Sequence, residues 1–155
     1  MPTMTWTEEM SVGLPELDED HKTLIRVINQ LDANTGNEAR RDSVRQSLVA
    51  LQRYAEFHFA REENVMAACT YPGLEDHREE HRQFIERIRQ LNTRFAANPD
   101  ASAEVVNDEL LTFLRDWLIH HIMIEDKAYR SSVESSRPAQ EAARSFAGTQ
   151  IWWGG

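Results

Sequence analysis

Apolar residues recur at steps of three and four along four successive segments of this chain, a period typical of amphipathic helices. Between about residues 17 and 129, glycine and proline occur at four positions only: Gly36, Pro72, Gly73 and Pro99. Each segment between these breakpoints is long enough for a helix, and none alternates apolar with polar residues as a half-buried strand would. Because short connections make consecutive helices antiparallel, the sequence predicts an all-α protein. Its expected architecture is an up-down-up-down four-helix bundle with an N-terminal arm and a C-terminal extension.

Each predicted helix carries one stripe of residues that should face the interior of the bundle. The four stripes are Leu17, His21, Leu24, Ile28 and Leu31; Val44, Leu48, Leu51, Ala55, His58, Glu62, Val65 and Cys69; His77, His81, Phe84, Ile88, Leu91 and Phe95; and Val106, Leu110, Phe113, Trp117, His121 and Ile124. Five of the six histidines therefore lie on stripe positions, and every helix supplies at least one. The remaining histidine, His120, is predicted to lie at the surface or rim.

The length of 155 residues fits one ordinary domain. We assign residues 1–132 to the bundle and residues 133–155 to a tail that is weakly ordered or packed on the bundle, because the tail is rich in serine, proline and glycine. Near its end, Trp152 and Trp153 are costly to leave in water. The tail is therefore a candidate contact for another protein.

The net charge of −9, from 17 basic and 26 acidic residues, repels nucleic acid and anionic lipid. The first ten residues lack the basic start and apolar stretch of a secretion signal, and no apolar run approaches the roughly 20 residues needed to span a bilayer. We therefore expect a cytoplasmic protein that is not inserted in a membrane and does not bind nucleic acid. A monomer is the default expectation.

Burial of so many ionisable side chains is costly unless a common partner compensates them. A metal ion is the simplest such partner, because imidazole nitrogen and carboxylate oxygen are natural ligands. His58 and Glu62 are four residues apart, as are His77 and His81, so each pair projects from one face of its helix. Chance spacing and core packing explain any one of these residues alone. They do not readily explain five histidines together.

For His121 the sequence offers two carboxylate partners. Glu125, four residues on, fits a regular α-helix. Asp126, five residues on, converges with His121 only if the turn widens into a π-bulge, a feature often found at functional sites. Helix geometry alone therefore favours Glu125.

The combined pattern closely resembles that of the hemerythrin family, specifically its single-domain bacterial members. It comprises His21, His58 with Glu62, His77 with His81, and His121 with Asp126. Supporting motifs are Trp6 and Val12-Gly13 ahead of Asp18 and His21, Tyr71-Pro72 before the His77 pair, and Trp117, Ile122 and Tyr129 around His121 and Asp126. The resemblance extends over nearly the whole chain to about Ser132.

The resemblance implies two iron ions bridged by an oxo or hydroxo group and by Glu62 and Asp126, and it selects Asp126 over Glu125. One iron would be held by His77, His81 and His121 and the other by His21 and His58. The second iron is then one ligand short, and dioxygen would bind there. Residues matching the family's oxygen pocket are Leu24, Phe59, Trp117, Ile122 and Ile124. Tyr129 is expected to hydrogen-bond near a bridging carboxylate.

The expected function is reversible binding of dioxygen for transport, storage or delivery, and not enzymatic catalysis. An oxygen-using enzyme or a signalling protein would contact the tail. The alternatives are an oxygen or redox sensor module, or a di-iron enzyme acting on peroxide or nitric oxide. A helical bundle that binds zinc, or no metal, is a further possibility.

Overall fold

The computed structural model describes residues 4–33 and 37–145, and within these ranges the chain is helical without strands. The long helices are α1 (Pro15–Ala33), α2 (Asn37–Ala68), α3 (Leu74–Ala97) and α4 (Pro99–Trp117). A π-helical segment, Leu118–Asp126, continues α4, and two short helices follow, α5 (Arg130–Glu134) and α6 (Arg137–Ser145). A single 3₁₀ turn, Glu8–Met10, lies in the N-terminal arm. The predicted four-helix bundle is confirmed.

Local hydrogen bonds fix the start of α4 and hold the N-terminal arm on the first turn of α1. The side chain of Asn98 accepts a hydrogen bond from the backbone of Ala101 at 3.3 Å, and Pro99 follows as the first residue of α4. In the first turn of α1, Asp18 accepts hydrogen bonds from Val12 N at 2.9 Å and from Ser11 Oγ at 2.6 Å. The second set of bonds anchors the N-terminal arm to α1.

The helices enclose two apolar clusters. The upper cluster contains Leu24, Ile25, Val27, Ile28, Leu31, Val44, Leu48, Leu51, Tyr54, Ala55, Phe59, Phe84, Ile88, Leu91, Phe95, Ala103, Val106, Leu110, Leu111, Leu114, Trp117, Leu118 and Ile122. The lower cluster contains Val12, Leu14, Leu17, Val65, Met66, Tyr129, Val133, Ala139 and Ala143. Along α1 the sequence passes from Leu17 in the lower cluster to Leu24 in the upper cluster, with His21 between them. A buried polar layer therefore separates the two clusters.

Residues 133–145 pack on the bundle. Val133, Ala139 and Ala143 are buried in the lower cluster, and α6 lies against α2. The boundary drawn at residue 132 therefore cuts through α5, because the helix continues to Glu134 and supplies core residues beyond the boundary. Trp152 and Trp153 lie outside the described residues. Among the described helices, none has both the length and the apolarity needed to cross a bilayer.

Two isoleucines on α3 provide a matched test of this packing. Ile88 is 5% exposed in the upper cluster, whereas Ile85 is 39% exposed at the surface. We expect Ile88→Ala to lower the free energy of unfolding by about 2–5 kcal/mol, because it removes buried methyl groups and leaves a cavity. Ile85→Ala should cost less than about 1 kcal/mol. Denaturant unfolding measures both, and equal losses would contradict the described orientation of α3.

Candidate metal centre

Helices α1 and α2 form one half of the polar layer, which we call the two-histidine half. His21 Nε2 lies 3.2 Å from Asp126 Oδ2 and 3.7 Å from Glu62 Oε2. His58 Nε2 lies 3.2 Å from Glu62 Oε2. One ligand atom from each of these four side chains lies within 4.8 Å of the others, and all four residues are buried. This half can surround one metal ion.

Helix α3 and the π-helical segment form the other half, the three-histidine half. His77 Nε2 lies 3.0 Å from Asp126 Oδ1, and His121 Nε2 lies 3.1 Å from the same oxygen. His81 Nε2 lies 3.0 Å from Glu62 Oε1. Glu62, His77, His121 and Asp126 place one ligand atom each within 4.8 Å of one another. His81 is outside that mutual group but contacts it through Glu62.

The two carboxylates connect the halves. Glu62 presents Oε2 to the two-histidine half and Oε1 to the three-histidine half. Asp126 divides its oxygens in the same way, with Oδ2 near His21 and Oδ1 near His77. The Tyr129 hydroxyl donates a hydrogen bond to Glu62 Oε2 at 3.2 Å and helps to fix this orientation. One oxygen for each half is the arrangement that a bridge between two metal ions requires.

Four inner atoms of the polar layer have no hydrogen bond, whereas His77 Nε2 and His81 Nε2 are hydrogen-bonded to Asp126 Oδ1 and Glu62 Oε1, respectively. His21 Nε2, His58 Nε2, His121 Nε2 and Asp126 Oδ2 are all buried, and none has a hydrogen-bond partner among the described residues. Buried polar atoms left unpaired are costly. Metal–ligand bonds of about 2.1 Å at right angles place neighbouring ligand atoms about 3 Å apart. The observed separations are those expected of ligands around a metal, and a metal ion would satisfy the four atoms that the protein leaves unpaired.

The π-helical segment brings Asp126 to the site. In a π-helix each hydrogen bond spans five residues, so Asp126 returns to the face of His121. Asp126 is fully buried, whereas Glu125 is only partly buried. The widened turn expected near His121 is present, and His120 is exposed as predicted.

The outer nitrogen, Nδ1, of several histidines is also held by the protein. His58 Nδ1 lies 2.9 Å from Asp20 Oδ2, and the same oxygen accepts a hydrogen bond from Arg61 at 2.7 Å. His77 Nδ1 lies 3.3 Å from the carbonyl oxygen of Gly73. Such partners fix the orientation and tautomer of a ligating imidazole.

In the three-histidine half, two further carboxylates play the same part. His81 Nδ1 lies 3.1 Å from Glu63 Oε2, and His121 Nδ1 lies 2.5 Å from Glu80 Oε2. Contact with the imidazole of His81 lowers the pKa of Glu63, and contact with that of His121 lowers the pKa of Glu80. Both outer carboxylates therefore stay ionised over a wide pH range.

Sequence reasoning did not identify Asp20, Glu63 and Glu80 as site residues. Each directly adjoins a ligand candidate in the sequence, namely His21, Glu62 and His81, respectively. A neighbouring residue lies about 100° around the helix, so it faces the next helix and reaches a histidine there. An acidic residue beside a ligand candidate was the available signal.

Aromatic rings cover the three-histidine half from the side of the upper cluster. Phe59 stacks on His81 with ring centroids 3.9 Å apart, and Trp117 stacks on His121 with centroids 4.0 Å apart. These rings restrict rotation of the two imidazoles. They also keep water away from their faces.

The expected pocket residues separate into two groups. Leu24, Phe59, Trp117 and Ile122 are buried in the upper cluster. Ile124 is 57% exposed and lines a surface depression, so its expected interior position is wrong. The widened turn moves Asp126 inward and Ile124 outward. Leu118, which the sequence analysis did not include, is 1% exposed and lies in the upper cluster.

Opposite charges within the polar layer stabilise one another's ionised forms and shift the pKa values of its residues. Burial alone lowers the pKa of His21, but the carboxylates of Asp126 and Glu62 outweigh burial and raise it to about 9. Burial raises the pKa of Glu62, yet contacts with four histidines leave it well below its usual value. The pKa of Asp126 is likewise lowered despite burial. Asp126 and Glu62 also raise the pKa values of His77 and His121 against the effect of burial, and Glu62 and Glu63 raise that of His81.

Comparison with known proteins gives consistent matches. The family model for the hemerythrin HHE cation binding domain matches residues 12–131. A bacteriohemerythrin of Stenotrophomonas maltophilia is 30% identical over 87% of this chain and 84% of its own length. One of Methylococcus capsulatus is 36% identical over 83% of this chain and 95% of its own. A crystal structure of wild-type hemerythrin, 33% identical, superposes with a TM-score of 0.72 and covers 86% of this chain and all of that one.

The pKa of His21 predicts how pH affects the metal-free protein. Because folding raises that pKa from 6.5 to about 9, protonated His21 stabilises the fold. Its contribution is complete below about pH 6.5 and is lost as the pH rises through about 9. We expect the free energy of unfolding of metal-free protein to fall between these values, with His21 alone contributing about 1–3 kcal/mol of the loss.

Denaturant unfolding at several pH values measures this loss. His21→Gln should reduce the pH dependence, whereas the exposed His120→Gln should retain the wild-type profile. A wild-type stability that rises between pH 6.5 and 9 would contradict the described contacts of His21.

Proposed function

The chain belongs to the hemerythrin family, and from this we propose that it is a non-haem di-iron protein that binds dioxygen reversibly. The observation that carries the proposal is the division of oxygens in Glu62 and Asp126, one to each half of the site. Two bridging carboxylates and five imidazoles suit a pair of iron ions with a shared oxo or hydroxo group.

The donor set is unequal in the two halves. His77, His81 and His121 would hold one iron, and His21 and His58 the other. The two-histidine half therefore has one imidazole fewer, which leaves a coordination position for a small ligand. When bound, the iron pair supplies the electrons and the open position that dioxygen binding requires.

The protein contributes orientation and a dry environment. Asp20, Glu63 and Glu80 orient imidazoles through their outer nitrogens. Leu24, Phe59, Trp117 and Ile122 would form the wall of the ligand pocket; their burial in the upper cluster supports this role. Exclusion of water slows the loss of a bound ligand through proton transfer and so favours its reversible release.

The ligand composition favours binding over catalysis. Five imidazoles are neutral ligands, and only Glu62 and Asp126 bring negative charge directly to the metals. Such a set stabilises high oxidation states less than carboxylate-rich sites do. We therefore propose a binding protein rather than an enzyme, acting in transport, storage or delivery of dioxygen.

Iron content after substitution tests the ligand assignment. We expect wild-type protein to retain about two iron ions per chain. Asp126→Asn should lose most of this iron, because the buried bridging charge is removed, whereas Glu125→Gln should retain it. Likewise His121→Ala should lose iron and the exposed His120→Ala should not. Metal analysis of the purified variants measures each. One zinc ion, or no metal, in the wild-type protein would contradict the proposal.

Oxygen exposure tests the function itself. The iron-loaded protein, reduced without oxygen, should change its visible absorption when dioxygen is admitted and return to the original spectrum under vacuum. Repeated cycles should give the same amplitude, because the dry pocket limits oxidation. Rapid and irreversible oxidation would contradict reversible binding and would favour a sensor or an enzyme acting on peroxide or nitric oxide.

A further inference from the structure

One buried tyrosine near the metal centre has an unpaired hydroxyl. Tyr54 is 0% exposed, and its hydroxyl has no hydrogen-bond partner among the described residues. Tyr129, equally buried, donates to Glu62 instead. An unpaired buried hydroxyl is costly, and each case in a native fold calls for an explanation.

The location of Tyr54 suggests what the hydroxyl is for. Tyr54 lies four residues before His58 on α2, so both side chains project from the same face of the helix. The two rings stack with centroids 4.8 Å apart, and Tyr54 also contacts Phe59 and Phe84. It therefore lies beside a histidine of the two-histidine half, among the apolar residues proposed to line the ligand pocket.

The chemistry of the phenol suits a donor. Burial raises the pKa of Tyr54 well above its usual value, and the carboxylates of Glu62, Asp126 and Asp20 raise it further. The hydroxyl thus keeps its proton at neutral pH and can donate it to a hydrogen bond. Three of the proposed pocket walls, Leu24, Phe59 and Ile122, carry no donor. The fourth, Trp117, has an unpaired indole N–H, but its ring stacks on His121 of the three-histidine half, whereas Tyr54 stacks on His58 of the two-histidine half.

We propose that the Tyr54 hydroxyl donates a hydrogen bond to the small ligand that occupies the open metal position of the two-histidine half. The inference rests on the proposed di-iron site. It specifies the ligand class as small molecules or anions that present an acceptor atom away from the metal. Tyr54 would then favour such ligands over small apolar ones, because an apolar ligand would leave the hydroxyl unpaired.

The test compares Tyr54→Phe with Tyr71→Phe, which removes the same hydroxyl group from a half-buried tyrosine in the turn after α2. Both proteins are loaded with iron, oxidised and titrated with azide, a small anion with a terminal acceptor nitrogen. We expect Tyr54→Phe to weaken azide binding about ten-fold or more, because a hydrogen bond to a charged acceptor is lost. Tyr71→Phe should bind azide as the wild type does.

Infrared spectra add a readout that does not depend on affinity. The azide stretching frequency should shift in heavy water in the wild type and in Tyr71→Phe, because deuterium replaces the donated proton. The shift should be absent in Tyr54→Phe. Unchanged affinity and an unchanged shift in Tyr54→Phe would overturn the inference.

The metal-free protein separates this role from a structural one. Tyr54→Phe removes an unpaired buried hydroxyl, so metal-free Tyr54→Phe should unfold at the same denaturant concentration as the wild type or at a higher one. A loss of stability typical of a broken hydrogen bond would show that the hydroxyl serves the fold, and would overturn the inference. Iron content, measured on all samples, distinguishes failure of the di-iron site, which removes both proposals, from failure of the Tyr54 role alone.

Discussion

The fold depends on seven ionisable side chains that offset one another's burial cost in the middle of an apolar bundle. Five imidazoles and two carboxylates form a layer between the upper and lower clusters, where unpaired charge is expensive. Without metal, ion pairs and hydrogen bonds between protonated imidazoles and the two carboxylates hold this layer together. With metal, the same atoms become ligands, so protons and metal ions compete for one set of nitrogens. The site thereby couples the stability of the fold to metal binding.

The two halves of the layer differ in their outer partners. Behind His58, Asp20 also accepts a hydrogen bond from Arg61, so a guanidinium offsets its charge. The three-histidine half is backed by two carboxylates, those of Glu63 and Glu80. Imidazoles with anionic partners are stronger donors to a metal. The halves therefore present different electrostatic environments as well as different numbers of histidines. This difference supports the proposal that only one of the two metal ions binds an external ligand.

The π-helical segment is the part of the fold whose irregular geometry most directly determines which residues form the candidate metal site. A regular α-helix would have turned Glu125 toward His121 and left Asp126 outside the layer. The widened turn places Asp126, instead of Glu125, in the polar layer and also moves Ile124 to the surface. The irregular helix geometry is thus linked to the burial of Asp126, the proposed bridging ligand, and to which residues form the neighbouring apolar wall.

Sequence alone determined the helices, most of each inward stripe and the histidines that meet in the interior, because these follow from the local period of 3.6 residues. It misplaced Ile124, which lies in the widened turn where that period does not hold. For the partner of His121, regular helix geometry favoured Glu125, and only the resemblance to a family selected Asp126 instead. Tertiary structure decided the pairing across helices, including the contacts of Asp20, Glu63 and Glu80 and the unpaired hydroxyl of Tyr54. Those contacts depend on how each helix is rotated and shifted against its neighbours, which no spacing within a single helix encodes.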